Sequence, residues 1–357
     1  MLTGYNGVDF CGSQKNENVR TVEEEMEKAL YKLGMISKFN LGDLKKIGWS
    51  RATRTDKKVH ALINTFSAKV LVPKRPTITT TDPETGEKVT KSYTIEEHLE
   101  DMRVKLNSEA LPDDVRIFSM FTVANRFNAK NCTNYREYSY FLPTFMLTNI
   151  DELYLATPPR VATEEEKKES EKKQRVVTSI SSGVKKIVRS AGIEDEHEKD
   201  QEACVDANRP INHISDEKLA RMYSTRMPEE QKTTLHELWG NFKGTKRYHN
   251  FTKEIKPHEA AAMRYMMEMT ANEFMYVNQD TFAVTEESDP KAIEFVRFYL
   301  KGQSFLFNQI RKMVGAMVQV YHGKLGLEFI ERTHLWNALH VALSPGDGLL
   351  LERVAYD

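Results

Sequence analysis

The chain has 357 residues, 40% hydrophobic and 29% charged, with 51 Lys and Arg against 52 Asp and Glu and a formal net charge of −1. That describes an ordinary folded protein with much charged surface, long enough for a sizeable core in two domains or lobes, and its pI of about 6.8 gives no direct pointer to nucleic acid. Without a run of about 18 apolar residues or a secretory leader, membrane insertion is unsupported; the dispersed Cys11, Cys132 and Cys204 predict neither a structural zinc nor a disulfide framework and fit a reducing compartment.

In chain order, the first clear element is a helix. Thr21 with Glu24 forms a capping-box pattern, and Val22, Met26, Leu30 and Leu33 mark a buried stripe that stops at Gly34. Residues Arg51 to Ala61 follow as R-A-T-R-T-D-K-K-V-H-A. Here one carboxylate, Asp56, is set among Arg51, Arg54, Lys57 and Lys58. Neighbouring cations favour the charged form of a carboxylate, so this pattern predicts an anionic Asp56 suited to nucleophilic attack and unsuited to donating a proton. Taken alone, the same pattern also describes a structural salt-bridge acid or a turn residue. The apolar, β-branched Ile63 to Val72 reads as a strand, which puts Asp56 on the loop before it.

Thr94 with Glu97 caps a second helix running to about Leu106, and Val115 to Val123 alternates as a strand. Alternation in Tyr138-Ser139-Tyr140-Phe141-Leu142 sends Tyr138, Tyr140 and Leu142 to one face, where one tyrosine serves a site and the other the core. Residues 158–210 are rich in Glu, Lys and Ser and poor in aromatics, including E-E-E-K-K-E-S-E-K-K-Q-R from Glu164 to Arg175. That composition predicts a mobile charged insertion. Further on, Ile293 to Lys301 reads as a strand and about Phe307 to Tyr321 as a helix with Arg311 in its first turns. Helices and strands alternate without the spacing of a doubly wound fold, so the fold class is α+β with a mostly antiparallel sheet.

Basic residues gather at Lys45 and Lys46 and around Asp56, at Lys243, Lys246 and Arg247, and at Arg311 and Lys312. Brought together in space they make a phosphate-binding face; kept apart they are solvated surface charge. His60, His236, His249 and His258 stand at no metal-ligand spacing.

Six segments resemble the TruA-like family of tRNA pseudouridine synthases. The Arg51 to Ala61 segment is similar to the family's R-x-x-R-T-D-x-G-V-H-A, with Lys58 standing where the family has Gly. Gly4 to Gln14, G-Y-N-G-V-D-F-C-G-S-Q, resembles the family's first strand and turn. Arg126 to Phe145 resembles S-F-x-A-R followed by R-x-Y-x-Y, and Gly302 to Met317 resembles S-F-L-x-x-Q-[IV]-R-x-M-V-G. The closing Ser344 to Asp357 resembles P-x-x-G-L-x-L-x-x-V-x-Y-D, and Lys243 to Lys253 resembles the segment that lines the family's RNA cleft.

The resemblance implies a pseudouridine-synthase-like fold of two α+β lobes around a central antiparallel sheet, with the catalytic lobe over residues 1–125, a second lobe over 126–357, and a cleft between them. It makes Asp56 the nucleophile, Arg54 the residue that takes the place of the extruded base, Tyr138 the stacking residue and a candidate for proton removal at C5, and Arg311 the partner of Asp56. Arg51, Lys57, Lys58, His60, Lys246, Arg247 and His249 join Arg54 as expected RNA contacts. No cofactor or metal is expected. The V-H-A and Y-F-L-P-T-F strings resemble the eukaryotic multisite branch, which implies tRNA as partner, the anticodon stem as target, a monomer, and a nuclear location with a longer mitochondrial form; small nuclear and messenger RNAs stay open as substrates. Two other readings stay open: a synthase for the anticodon loop, and an RNA-binding or tRNA-folding protein that has lost activity, for which Lys58 and the abrupt start at Met1 speak.

Overall fold

The computed structural model describes residues 1–72, 78–81, 88–91, 93–148, 220–221, 223–253, 255–321 and 325–356. Residues 1–149 and 223–357 form one compact unit, and the insertion expected over 158–210 lies outside the described residues. The unit is mixed α and β, built on one large, mostly antiparallel sheet as the alternating sequence pattern predicts.

Its strands are β1 (Leu2–Tyr5), β2 (Ser50–Arg51), β3 (His60–Ser67), β6 (Val115–Ser119), β7 (Thr133–Pro143), β8 (Gly244–Arg247), β9 (Met263–Asn278), β10 (Val284–Thr285), β11 (Ala292–Gly302) and β12 (Leu349–Tyr356). A separate hairpin joins β4 (Ile78–Thr81) to β5 (Lys88–Lys91). The large sheet runs β10-β9-β11-β7-β12-β3-β1-β6, with β2 added to β3 and β8 to β9. One pairing is parallel: β12 lies beside β3, with Leu350 opposite His60 and Leu351 opposite Ala61. The last strand of the chain thus joins the N-terminal strands to the C-terminal ones.

Helix α1 (Val22–Lys32) begins where Thr21 accepts from the Glu24 amide, and buries Val22, Met26 and Leu30. Only half of the expected capping box forms, because the Glu24 carboxylate pairs with Lys28 one turn on. Both halves form at α2 (Ile95–Lys105), between Thr94 and Glu97. Helix α3 (Glu229–Gly240) is anchored by the buried Trp239, whose indole donates to the Tyr299 carbonyl at 3.0 Å and whose ring meets Phe298 at 4.8 Å. Helix α4 (Gln309–Tyr321) buries Met313, Val314 and Met317, and a short α5 (Phe329–Arg332) follows.

Two expected boundaries move. Strand β3 starts earlier than the β-branched run suggests and stops at Ser67, because the Lys69 and Leu71 amides turn away to the carbonyls of Ile47 and Met35. Helix α4 starts at Gln309 rather than Phe307, since Asn308 holds a left-handed φ of 61° that no α-helix accommodates.

Candidate active site

Asp56 stands on the loop between β2 and β3, and the sequence explains how that loop is held. The Thr55 amide donates to the Ser13 hydroxyl at 2.9 Å, the Ser13 amide to the Thr55 carbonyl at 3.1 Å, and the Lys58 amide to the Phe10 carbonyl at 3.1 Å. Two glycines permit the embrace. A Cβ on Gly7 would sit 2.1 Å from the Val59 carbonyl oxygen, and one on Gly346 would sit 2.3 Å from that of Lys57. The glycines of the first and last blocks are therefore the space in which the Asp56 loop lies. Lys58 adopts φ 65°, the left-handed conformation for which the family pattern has Gly. The turn is kept, at a cost of about 1 kcal/mol for a residue with a Cβ.

The charge that faces Asp56 comes from α4. Arg311 Nη1 lies 3.9 Å from Asp56 Oδ2, and the Asn308 backbone amide donates to the same carboxylate, so the acid sits at the amino end of a helix. Arg311 is itself fixed, donating through Nε to the Ser344 carbonyl at 2.8 Å and through Nη1 to Asn308 Oδ1 at 3.3 Å. Gly315, one turn on, lets α4 approach that returning chain, where a Cβ would lie 2.0 Å from the Ala342 carbonyl oxygen. Burial raises the Asp56 carboxyl above the ordinary aspartate range, while Arg311 and then the Asn308 amide act in the opposite direction.

The cations nearest Asp56 in the sequence are not the ones that face it. Arg51 is spent on the fully buried Glu23, pairing Nη2 with Oε2 at 2.9 Å in a cluster that also binds the Trp49 indole. Lys58 reaches outward to Asp347 at 3.6 Å. Sequence neighbours on a tight turn point in different directions, so adjacency in the chain overstated their field at the acid.

A cavity of about 730 Å³ opens over Asp56 and is lined by Arg51, Arg54, Tyr138, Phe305 and Arg311 among others. Tyr138 is buried in its wall, its ring edge-on to Phe305 at 5.0 Å and its hydroxyl 3.0 Å from Thr53 Oγ1. Burial pushes its phenol up to about 12. Tyr140, on the same strand face, goes to the core and donates to the Pro345 carbonyl at 2.9 Å, so the two tyrosines divide as expected. Arg54 is exposed at the cavity and has no carboxylate partner among the described residues.

Six expected RNA contacts lie outside the cavity lining. Lys57 and Lys58 are half-buried on the turn and do not line the cavity. His60 accepts the Gly7 amide on Nδ1 and lines a different groove with Asp347. Lys246 is bound to the Asn241 carbonyl, and Arg247 donates to the Pro257 carbonyl and covers the Trp336 ring at 4.2 Å. His249 is buried with Nε2 at 3.2 Å from the Asn337 carbonyl, so packing accounts for it. In exchange the cavity gains Lys130, Arg136 and Arg264. Arg136 was visible as the first residue of R-x-Y-x-Y; Arg264 sits in a Met-rich stretch, M-R-Y-M-M-E-M, whose neighbours give no charge pattern. The lining thus carries five arginines and one lysine against the single carboxylate Asp56. Among the described residues no group of three His, Cys, Asp or Glu is placed to hold a metal ion.

The family model described as tRNA pseudouridine synthase matches residues 240–357. Over the whole chain the sequence is 26% identical to the mouse pseudouridylate synthase 1 homolog across 360 residues, which is 60% of that protein. It is 27% identical to tRNA pseudouridine synthase 1 of Kluyveromyces lactis across 380 residues, and 26% to that of Saccharomyces cerevisiae across 382 residues. The chain spans about 60% of the length of these curated relatives. Together with the ordered motifs and the site they assemble, these matches show what the chain is similar to: the tRNA pseudouridine synthases, over its whole length to the relatives and over residues 240–357 to the family model.

Proposed function

We propose that this protein isomerises uridine to pseudouridine in tRNA, with Asp56 as nucleophile. The observation that carries the reading is the position of Asp56: a lone carboxylate in a cationic cavity, facing Arg311 and the amino end of α4. A glycoside hydrolase would need a second, protonated acid beside the first, and the lining holds none.

The chemistry is an exchange of bonds at one ribose carbon. A uridine leaves the RNA stack at a cost of a few kcal/mol, offset by stacking on an aromatic wall and by phosphate contacts. Arg54, exposed at the cavity and without a carboxylate partner among the described residues, fits the role of filling the vacated place. Asp56 bonds to the ribose C1′ or to the base, the bond from N1 to C1′ breaks, the base turns and C5 bonds to C1′, the bond to Asp56 breaks and returns the carboxylate, and the C5 proton leaves as N1 gains one. Atoms balance without an added reactant. Arg311 steadies the Asp56 anion that burial disfavours. A Tyr138 phenol raised to about 12 holds its proton at neutral pH, so stacking beside Phe305 is its stronger contribution and a base role the weaker. The nonproductive reading loses ground because Lys58 adopts the conformation that Gly would supply.

The V-H-A and Y-F-L-P-T-F strings favour multisite action on the anticodon stem over the anticodon loop, and with it the wider reading: a monomer that binds RNA in the nucleus, with small nuclear and messenger RNAs as further substrates. The test is tritium release from a tRNA transcript labelled at uridine C5. The purified chain should release tritium and Asp56→Ala should not. A folded chain that binds the transcript and releases none overturns the proposal.

A further inference from the structure

We propose that Arg264 is a phosphate-binding residue inside the cavity, clamping a backbone phosphate that flanks the uridine brought to Asp56. The inference rests on the reading of this cavity as the RNA site and adds a residue to it.

The argument is one of partners. Among the cavity arginines, Arg51 is neutralised by Glu23 and Arg311 faces Asp56. Arg136, itself buried, donates from Nη1 to the Gln303 carbonyl at 2.6 Å and from Nη2 to the Ala52 carbonyl at 2.7 Å. Arg54 is exposed. Arg264 differs from all four. Its Nη1 donates to the carbonyl of the adjacent Met263 at 2.7 Å, its Nε is shut off from solvent with no acceptor, and no carboxylate pairs with it among the described residues. Burial draws its guanidinium below the ordinary arginine range. Arg264 is half-buried, and leaving its one solvent-shielded donor, Nε, without an acceptor is costly; that cost is relieved when the guanidinium turns to an anion.

The chemistry of that anion follows from the surroundings. The one carboxylate of the lining, Asp56, is already held from α4, so the acceptor comes from outside. A guanidinium fork matches two oxygens of a phosphodiester, and such pairs are both short and directional. Position also fits. Arg264 opens β9, where the Gln303 amide donates to the Tyr265 carbonyl at 3.2 Å. Two residues past Gln303, Phe305 packs against Tyr138, so the guanidinium belongs to the wall beside the aromatic surface on which the base would stack.

Binding separates this inference from turnover. In an Asp56→Ala chain, the affinity for an unmodified tRNA transcript is measured against KCl concentration with and without Arg264→Gln. The added substitution should weaken binding about tenfold and reduce the slope of log K on log salt by about 0.9, the value for one lost phosphate contact at the duplex limit and about 0.7 for single-stranded RNA. A stem-loop RNA with a neutral methylphosphonate at one flanking position should bind the Asp56→Ala chain more weakly, and should cost nothing further once Arg264 is Gln. Arg264→Lys, which keeps the charge and loses the fork, should keep the salt slope while losing several-fold in affinity; it also serves if the Gln chain does not fold. Equal affinity and slope with and without Arg264→Gln, or losses from the two changes that simply multiply, overturn the proposal while leaving the RNA site intact. Failure of the Asp56→Ala chain itself to bind tRNA overturns the reading of the cavity as well.

Discussion

Replacing Arg311 by Met removes the one cationic side chain that faces Asp56 and leaves the burial that opposes its charge. At 3.9 Å and an effective dielectric constant of about 20, the pair is worth about 4 kcal/mol. If all of that supports the anion in the attack, the loss is about a thousandfold in rate at neutral pH. This is an upper bound, because the Asn308 amide stays in place. The sign of the pH effect is fixed: without Arg311 the Asp56 carboxyl rises further, so the acid limb of the kcat/KM profile for pseudouridine formation moves to higher pH. Arg311→Lys separates charge from tether. It keeps a cation but loses the donations to Ser344 and Asn308, so its rate should fall while its acid limb stays near the parent's. The assay is product formation across about pH 5 to 9, the span in which side-chain acids and bases limit rates. An Arg311→Met chain that stays folded with its acid limb unmoved would refute the reasoning.

Three further outcomes follow from the same geometry. Because burial raises the Asp56 carboxyl, the native state binds protons more tightly than the unfolded one, and the anion costs stability that grows as pH rises from the ordinary aspartate range through the folded value. Asp56→Asn should therefore raise the denaturation midpoint at neutral pH, with the gain fading in acid; a gain that grows in acid contradicts this. Gly346→Ala would press a Cβ to 2.3 Å from a backbone oxygen under the Asp56 turn, so chemical denaturation should show a loss of about 1–3 kcal/mol together with reduced turnover; wild-type values in both would show that the turn is not gripped there. Lys58→Gly relieves a left-handed lysine at φ 65° but frees the unfolded chain, so stability should change by less than about 1 kcal/mol with turnover kept, and loss of turnover would assign Lys58 a chemical role.

Local elements were legible where one physical signal decides. The apolar spacing of Val22, Met26 and Leu30 with Thr21 in front could only be a helix, and the Thr94 and Glu97 pair wrote its own cap. The motif residues Asp56, Tyr138 and Arg311 were legible as members of ordered blocks, and the structure gathers them at one cavity. Long-range effects were not. Nothing near Arg51 announces that its partner is Glu23, twenty-eight residues away on α1. Nothing near Gly346 shows that it must admit Lys57, and the parallel junction of β12 with β3 depends on contacts between opposite ends of the chain. The charge balance at Asp56 was illegible for the same reason: it is set by burial and by a helix that arrives late in the sequence. Arg264 has no local signature at all, since its significance lies in the acceptor it lacks.

The central claim is tested most directly by a base-resolved pseudouridine map of unmodified tRNA transcripts incubated with the purified chain and with Asp56→Ala, without added metal. The account predicts new pseudouridines in the anticodon stem that vanish in the variant, while the variant still binds tRNA. A map without new sites from a folded, tRNA-binding chain, or sites that persist in Asp56→Ala, would contradict it.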